Sequence, residues 1–334
     1  MKITIADCDH TAYDEERAVA ARFGTDLTWE GADAHTPDEI VARCYDADGI
    51  ALQYARFDAA LMDRLPNLTV LGRYGVGVDS IDIQAATARG IAVCNVPDYG
   101  TESVSDHAIA LALALLRDIG HQSRLALVGQ ASFLSARPGH LASASTMGII
   151  GCGLIGSATA RKAEALGLRV IVCDILADGP VFHGYPAVSL EDLLAEADIV
   201  SLHTPLTDQT YHMIDAAALA LMKPTASLVN TARGAVVDTD ALVSALQAGH
   251  LRGAGLDTLE TEPVPVDSPL LACDRVIVTP HIAWYTEETY GVLKTRTIEN
   301  IATYLSGTRP RDIVNPEILT DAVTLPVPRR PTNP

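Results

Sequence analysis

The sequence predicts an α/β protein in which parallel strands alternate with helices, because short apolar runs recur between helix-like stretches over most of its length. A GxGxxG turn occupies residues 151–156, directly after the apolar run Met147–Ile150. A helix-like stretch follows, and a second apolar run, Val170–Cys173, is closed by Asp174. This order of strand, glycine turn, helix, strand and carboxylate predicts a doubly wound Rossmann domain that binds a dinucleotide.

Each residue type in this turn has a physical reason. Gly151 permits the tight turn, Gly153 lets the backbone approach a pyrophosphate, and Gly156 lets helix and strand pack closely. Asp174 lies 18 residues after Gly156 and is placed to accept hydrogen bonds from a ribose diol. Because a carboxylate would repel a 2′-phosphate, the predicted cofactor is NAD rather than NADP. The alternative, a tight turn that binds nothing, is disfavoured by the flanking strands.

The first hundred residues show the same rhythm without a glycine fingerprint. They predict a smaller flavodoxin-like substrate domain, with the strands Lys2–Ala6, Gly49–Leu52, Val70–Arg73 and Ile91–Cys94. Helices are expected at Asp14–Arg22, Pro37–Cys44 and Phe57–Leu65. The nucleotide fingerprint begins in mid-chain, so the Rossmann domain is expected to be inserted into a discontinuous substrate domain. The expected boundaries are 1–99 with 287–318 for the substrate domain, 100–286 for the NAD-binding domain and 319–334 for a mobile tail.

The second series predicts six parallel strands, at Met147–Ile150, Arg169–Cys173, Ile199–Leu202, Ser227–Asn230, Gly253–Leu256 and Val276–Thr279. A last helix is expected at Glu287–Leu305. Before the series, Glu102–Leu127 predicts one long helix that is too apolar for a solvent-exposed face. We therefore expect the next domain or another subunit to cover this helix. A connecting arm rich in small residues follows at Gly129–Ser145.

Composition narrows the classes of function. The 334 residues, 48% of them hydrophobic, suffice for two domains with proper cores. The net charge of −18 opposes binding to nucleic acid or to an anionic membrane. No apolar run has the length of a membrane span, and no signal peptide is visible, so a cytoplasmic location is expected. The ten histidines and six cysteines show no metal-ligand spacing, and no metal is expected.

Three side chains with suitable chemistry follow three predicted strands of the nucleotide-binding domain: Arg233, Glu262 and His281. Catalytic groups of open α/β sheets lie beyond the carboxyl ends of the strands. Singly, each has an ordinary alternative as a surface, solvated or capping residue. Their joint occurrence favours a site with a cation, a carboxylate and an acid/base.

The same residues belong to motifs that resemble the D-isomer-specific 2-hydroxyacid dehydrogenases over roughly residues 2–316. These motifs are RYGVGVDSIDI from Arg73, GCGLIG from Gly151, HTPLTDQT from His203, NTARG from Asn230, DTLETEP from Asp257 and PHIAW from Pro280. Within that family, RYGVGVDSID and PHIAWYTEE most resemble the branch related to the C-terminal-binding protein corepressors. The chain also resembles the short form of the family, without a regulatory domain.

The resemblance implies roles by position. It makes Arg233, Glu262 and His281 the catalytic set, and it implies a homodimer whose arm carries Phe133 where relatives often have tryptophan. The implied cofactor contacts are Gly151, Gly153, Leu154, Ile155, Gly156, Asp174, His203, Thr204, Pro205, Thr210, Thr231, Ala232, Arg233, Asp257 and His281. The implied substrate contacts are Tyr74, Gly75, Val76, Gly77, Arg233 and Trp284. For Trp284, packing in the core is an equal alternative to contact with the substrate.

The implied chemistry is reduction of a small 2-oxo acid by NADH, with protonated His281 as the acid and Glu262 favouring its imidazolium form. Arg233 would bind the carboxylate and carbonyl oxygens, and the amides of residues 75–77 would bind the other carboxylate oxygen. Two alternatives stay open, an NAD(H)-sensing corepressor-like protein and a phosphite-type dehydrogenase. Gln53, Tyr54 and Arg56 are near the expected pocket, and the substrate side chain stays undetermined.

Overall fold

The computed structural model describes residues 1–9, 11–29, 34, 36–130, 132–134 and 136–319. The chain forms two compact units. The first comprises Met1–Tyr99 and the segment that begins at Thr286, and the second comprises Gly100–Tyr285. The first unit is therefore discontinuous. The mobile tail predicted at 319–334 lies, except for its first residue, outside the described residues.

Strands and helices alternate along both units. The strands are β1 (Lys2–Ile5), β2 (Asp26–Thr28), β3 (Gly49–Leu52), β4 (Val70–Arg73), β5 (Ala92–Cys94), β6 (Thr146–Ile150), β7 (Arg169–Cys173), β8 (Val181–Phe182), β9 (Tyr185–Pro186), β10 (Ile199–Leu202), β11 (Ser227–Asn230), β12 (Gly253–Leu256) and β13 (Val276–Val278). The helices are α1 (Asp14–Phe23), α2 (Pro37–Cys44), α3 (Ala59–Asp63), α4 (Ile83–Ala88), α5 (Thr101–Leu116), α6 (Ile119–Leu127), α7 (Leu154–Ala165), α8 (Leu190–Glu196), α9 (Ala216–Leu221), α10 (Thr239–Gln247) and α11 (Glu287–Leu305).

A parallel sheet with the order β2-β1-β3-β4-β5 forms the centre of the first unit. This is the strand order of flavodoxin-like folds, which confirms the predicted fold class for this unit. The sequence does not predict β2, because this edge strand has three residues and only Leu27 among them is apolar. The other strands of this sheet begin and end within one residue of their predicted bounds.

Helix α11 returns to the first unit and packs on its sheet. The side chain of Ile301 lies so close to Gly49 and Gly72 that a Cβ at either glycine would come within 2.5 and 2.6 Å of it. Lys294 is almost fully buried, and its amine donates to the Glu15 carboxylate at 2.7 Å and to the Ala12 carbonyl at 2.6 Å. These contacts fix α11 against the sheet and α1.

The second unit contains a six-stranded parallel sheet with the order β13-β12-β11-β10-β6-β7. All six predicted strands are present, and the predicted Rossmann-type sheet is confirmed. The chain moves outward from β6 to β7 and then crosses to β10 on the other side of β6. Ligands of open α/β sheets bind at such a reversal, at the carboxyl ends of the strands.

The sequence does not predict the short antiparallel hairpin of β8 and β9 that follows β7. Directly after it, Ala187 forms a parallel bridge with Val172 of β7. This single bridge occupies the place of the third strand in the common dinucleotide-binding order 3-2-1-4-5-6. Two-residue strands are too short to give a periodic signal in the sequence.

The prediction of one helix over Glu102–Leu127 is wrong, because α5 ends at Leu116 and a separate helix, α6, begins at Ile119. Asp118 adopts a left-handed backbone conformation with φ of 56°, which interrupts the helical hydrogen bonds. The apolar α5 is covered within its own unit, where Leu111 and Leu115 pack against Gly255 and Gly253 of β12. The sheet of the predicted NAD-binding domain therefore supplies the expected cover.

No helix in the described part of the chain combines the length and the apolar character that crossing a bilayer requires.

Candidate active site

The glycine turn joins β6 to α7 in the conformation that the motif predicts. Gly151 has φ of 85°, a region that favours glycine. A Cβ at Gly156 would lie 2.0 Å from the Gly151 carbonyl oxygen, so only glycine permits this packing of helix on strand. The first helical hydrogen bond runs from the Ser157 amide to the Gly153 carbonyl at 2.9 Å. The amides of residues 154–156 precede that bond and point along the positive end of α7, a geometry that suits an anion.

Gly153 differs from the two other glycines of the turn. A Cβ built there meets no atom of the described chain within 4 Å, and its φ of −72° is open to any residue. Packing within the protein therefore does not explain why the residue is glycine. A ligand such as a pyrophosphate would explain it, because glycine lets the protein backbone approach that group closely.

Asp174 contacts the glycine turn directly. One carboxylate oxygen accepts from the Cys152 amide at 2.7 Å, and the other accepts from the Leu176 amide at 2.9 Å. The next two side chains are apolar and exposed, Ile175 by 93%. The carboxylate thus lies beside the turn, and its immediate neighbours in sequence include no cation that could bind the 2′-phosphate of NADP. This arrangement is consistent with the predicted preference for NAD.

Several buried polar atoms after β10 and β11 lack a protein partner. His203 bonds Ser201 through Nε2 at 2.9 Å, while its buried Nδ1 and the hydroxyls of Thr204 and Thr231 have no hydrogen-bond partner in the described part of the chain. Burial lowers the pKa of the His203 imidazole to about 4, so this ring is neutral at pH 7. Because buried polar groups are almost always paired, these atoms fit a bound polar ligand beside the glycine turn.

Three more residues that are predicted to contact the cofactor, Pro205, Thr210 and Ala232, form hydrogen bonds within loops of the protein. The Thr210 hydroxyl donates to the Pro205 carbonyl at 2.7 Å and closes the loop between them. Ala232 donates its amide to the side chain of Asn230 at 3.0 Å, and the Asn230 amide group donates to the Arg233 carbonyl at 2.9 Å. Asn230 has no role predicted from the sequence, and the signal that could have found it is a polar residue at the end of an apolar strand.

Arg233, Glu262 and His281 come together at the carboxyl ends of β11, β12 and β13. Glu262 Oε2 lies 2.8 Å from His281 Nδ1. Oε1 of the same carboxylate accepts from the Leu259 amide at 2.8 Å. A Cβ at Gly234 would lie 1.9 Å from the Leu259 carbonyl carbon, so the Arg233 loop lies directly against the Glu262 loop.

The electrostatics of Glu262 reflect this convergence. Partial burial acts to raise the pKa of its carboxyl, but the hydrogen bond and charge of His281 outweigh burial, helped by the Leu259 amide and the Arg233 charge. The net pKa of Glu262 is therefore below its ordinary value, and the group is ionised at neutral pH. Because an ionised carboxylate only accepts, Nδ1 of His281 carries the hydrogen of this bond. Nε2 of that ring has no partner among the described residues.

The Glu262 loop is also fixed from its outer side. Glu260 bonds Nε2 of His212 at 2.6 Å through one carboxylate oxygen. It accepts from the Thr239 amide at 2.8 Å through the other. The loop that carries Glu262 is thus held on both sides, against the Arg233 loop and against α10.

The turn that carries His281 has an unusual backbone. His281 has φ of 55°, a left-handed conformation that costs a residue with a Cβ about 1–2 kcal/mol. Asp257, whose surface is 2% exposed, opposes this cost. Its carbonyl accepts from the His281 amide at 2.8 Å, and its carboxylate accepts from the Ile282 and Ala283 amides at 3.0 and 2.9 Å. The carboxylate of Asp257, predicted as a cofactor contact, therefore shapes the histidine turn.

The predicted substrate loop lies in the first unit, after β4. Gly75 has φ of 143°, and the Arg73 guanidinium occupies the space where a Cβ would project. Asn95 donates to the Val76 carbonyl at 2.6 Å and orients the loop. The amides of Val76 and Gly77 have no acceptor among the described residues, so the loop offers two neutral donors for a carboxylate. The remaining loop residue, Tyr74, is buried.

Trp284 lies in the second unit, three residues after the histidine. Its ring meets Tyr285 edge to face, with centroids 5.3 Å apart, and its side chain is half-buried. The Ser103 hydroxyl of α5 lies 3.4 Å from the Trp284 carbonyl. The position therefore has both a packing role and an exposed ring surface.

Known proteins share this architecture. A protein-family model, described as the NAD binding domain of the D-isomer specific 2-hydroxyacid dehydrogenases, matches residues 109–283. The chain is 39% identical over 307 residues to glyoxylate reductase of Korarchaeum cryptofilum, covering 90% of this chain and 92% of that protein. It is 36% identical over 306 residues to glyoxylate/hydroxypyruvate reductase B of Yersinia pestis, covering 89% and 94%. The structure of D-lactate dehydrogenase from Aquifex aeolicus, complexed with NAD and lactic acid, matches with a TM-score of 0.78 at 30% identity, covering 92% of this chain and 95% of that one.

Fold, glycine turn and relatives together define a dinucleotide-dependent oxidoreductase. The chain belongs to the D-isomer specific 2-hydroxyacid dehydrogenase family and is an NAD-dependent D-2-hydroxyacid dehydrogenase. It interconverts 2-oxo acids and 2-hydroxy acids, and NAD is its cofactor. The predicted family, enzyme class and cofactor are confirmed. The closer relation to the corepressor branch stays a prediction.

The space around Gly153 leads to a first prediction. Gly153→Ala should leave thermal stability unchanged, because the new Cβ meets no protein atom, yet weaken NADH binding about tenfold, or about 1.4 kcal/mol. Fluorescence titration with NADH measures the change. Gly291→Ala, which also places a Cβ in open space, is the matched control. Unchanged affinity in the Gly153 variant would contradict a pyrophosphate at this turn.

The lowered pKa of Glu262 leads to a second prediction. Its ionised form accepts the hydrogen bond from Nδ1 of His281, so protonation of the carboxyl would weaken that bond. The kcat/KM for reduction should therefore stay level at neutral pH and fall only as pH drops through the lowered pKa of Glu262. Glu262→Gln, which cannot titrate there, should lower kcat/KM at neutral pH and remove this acid limb. Steady-state kinetics across pH measure the limb. An acid limb that is unchanged in the variant would contradict a role for this carboxylate.

Proposed function

We propose that the protein reduces a small 2-oxo acid of the glyoxylate or hydroxypyruvate type with NADH, forming the D-2-hydroxy acid. The observation that carries the proposal is the convergence of the His281–Glu262 hydrogen bond and the Arg233 loop at one edge of the nucleotide-binding sheet. The full-length similarity to glyoxylate and hydroxypyruvate reductases supports the substrate class.

The residues divide the chemistry among them. NADH supplies hydride to C2 of the substrate when it is bound. His281, with Nδ1 held by Glu262, donates the proton on Nε2 to the substrate oxygen. Glu262 stabilises the imidazolium before transfer and holds the ring in one orientation afterwards. Arg233 uses its planar fork of donors to bind the carboxylate and polarise the carbonyl.

Residues beside the turn and the loops are proposed to hold the other groups. The amides of residues 154–156 suit the pyrophosphate, and Asp174 suits the adenosine ribose. The amides of Val76 and Gly77 suit the remaining oxygen of the substrate carboxylate. Trp284 is proposed to line the space for the substrate side chain. These assignments rest on the free donors, the unpartnered polar atoms and the family motifs.

We also propose that the protein is a homodimer that pairs through the segment after α6. This segment and the end of α6 carry apolar side chains that are exposed to solvent in the single chain, with Leu127 of α6 exposed by 85% and Phe133 and Leu134 by 92% each. Adjacent exposed side chains of this kind are typical of surfaces that a partner covers. A cytoplasmic location stays a prediction of the sequence.

The catalytic proposal is tested with a panel of 2-oxo acids and NADH, followed by absorbance. His281→Ala should lower kcat by about 100- to 10,000-fold with NADH affinity intact, because only proton donation is lost. Arg233→Lys should raise KM and lower kcat together, since it keeps the charge but loses the bidentate geometry. His121→Ala, at an exposed histidine of α6, is the control. No turnover of any acid by the unmodified protein would favour the corepressor-like role instead.

The dimer is tested by analytical ultracentrifugation. The double variant Phe133→Asp with Leu134→Asp should sediment as a monomer, because burying two carboxylates in an apolar interface is unfavourable. Val266→Asp, at an apolar residue exposed by 97% elsewhere on the second unit, should remain a dimer. A monomeric unmodified protein would overturn the proposal.

A further inference from the structure

A histidine that the family motifs do not assign lies behind the catalytic turn. His107 is on α5, and its side chain is 22% exposed. Its Nε2 is 2.9 Å from the hydroxyl of Thr279, the residue that follows β13. The same nitrogen lies 3.6 Å from the Asp257 carboxylate. The proposed catalytic set of Arg233, Glu262 and His281 does not use it.

The hydrogens of this cluster can be counted. The Thr279 hydroxyl has one hydrogen, and it donates that hydrogen to the Asp257 carboxylate at 2.6 Å. At its contact with His107 the hydroxyl oxygen must therefore act as acceptor. His107 consequently carries a hydrogen on Nε2. The chain of donors runs in one direction, from His107 through Thr279 to Asp257.

Asp257 connects this chain of hydrogen bonds to the turn that carries His281, the proposed proton donor. Its carbonyl and both carboxylate oxygens accept from the three consecutive amides of residues 281–283. The His281 amide also lies 3.0 Å from the Thr279 carbonyl. These bonds hold His281 in its left-handed conformation, and that conformation presents Nδ1 to Glu262. A change in the orientation of the Asp257 carboxylate would turn the imidazole.

Helix α5 supports the turn at two points on one face. Ser103 and His107 are four residues apart, so both project from the same side of the helix. The Ser103 hydroxyl lies 3.2 Å from the Gly100 carbonyl of its own helix and 3.4 Å from the Trp284 carbonyl, and His107 reaches Thr279. Both ends of the segment 279–284 therefore lie against α5, and the stronger contact is the one at Thr279. The helix itself is fixed on β12 by Leu111 and Leu115.

We propose that His107 is a positioning residue for proton transfer, which orients the Thr279 hydroxyl towards Asp257 and thereby holds His281 against Glu262. The proposal rests on the proposed role of His281 as the proton donor. His107 acts without touching substrate or cofactor. Its loss affects the rate of the proton-coupled step more than the binding of either ligand.

The experiment compares His107→Leu with His107→Gln in the full-length protein, using the best 2-oxo acid from the panel. The leucine variant should lose about tenfold in kcat, with the Kd for NADH and the KM for the 2-oxo acid unchanged. Its solvent deuterium isotope effect on kcat should rise, because a misplaced donor makes proton transfer slower. Glutamine places an amide N–H near the position of Nε2 and should restore most of kcat.

Matched variants separate this role from general packing. His121→Leu and His121→Gln, at a histidine of α6 whose Nδ1 contacts the Asp274 carbonyl at 3.2 Å, should both keep the kcat of the unmodified protein. Thr279→Val should reproduce the loss seen for His107→Leu, whereas Thr279→Ser, which keeps the hydroxyl, should retain activity. These threonine variants also test the proposal if His107→Leu fails to fold.

Three results would overturn the inference: normal kcat in His107→Leu, equal losses in the leucine and glutamine variants, or a loss confined to NADH affinity and thermal stability. Its failure is distinguishable from failure of the proposed function. If His281→Ala is inactive while His107→Leu is normal, only the positioning role falls. If His281→Ala turns over normally, the proton-donor assignment falls first.

Discussion

The left-handed backbone at His281 is the constraint on which the site depends. The backbone of a residue with a Cβ is strained in that conformation, and it stays there only because surrounding groups hold it in place. Here one buried carboxylate, Asp257, accepts the bonds that make the turn, and a threonine hydroxyl and a helix fix the carboxylate in place. The result is a histidine whose two nitrogens have different surroundings. Nδ1 bonds the Glu262 carboxylate, and Nε2, which has no partner among the described residues, is the nitrogen proposed to face the substrate.

Much of the architecture follows from local pattern. Apart from the edge strand β2, most strands of the two sheets are largely buried and read as continuous apolar runs, so the sequence indicates them with small errors at their ends. The glycine turn has a signature because crowded glycines at 151 and 156 and an open glycine at 153 fall at fixed spacing. What the sequence does not predict is short or depends on one dihedral angle. The two-residue strands β8 and β9 have no measurable period, and the break at Asp118 needs only one residue to enter the left-handed region.

The candidate site shows the same division. Arg233, Glu262 and His281 follow three adjacent strands, so topology alone predicts that they meet. The distance of 2.8 Å between Glu262 and His281 and the close approach at Gly234 could not be predicted, because they depend on loop conformations. Asn230, His107 and Thr279 were missed for a related reason. Each contacts a residue of the candidate site through a hydrogen bond that depends on the fold, and such residues carry no motif of their own.

The bond between Asp174 and the Cys152 amide has a consequence for protein engineering. A carboxylate at the end of the second strand disfavours the 2′-phosphate of NADP, so a change of cofactor would begin by replacing this acid. In this protein the same carboxylate also accepts from an amide of the glycine turn. A small neutral residue at position 174 would remove the repulsion and leave that amide without its acceptor. A successful redesign has to supply a new acceptor for that amide along with a cation for the phosphate.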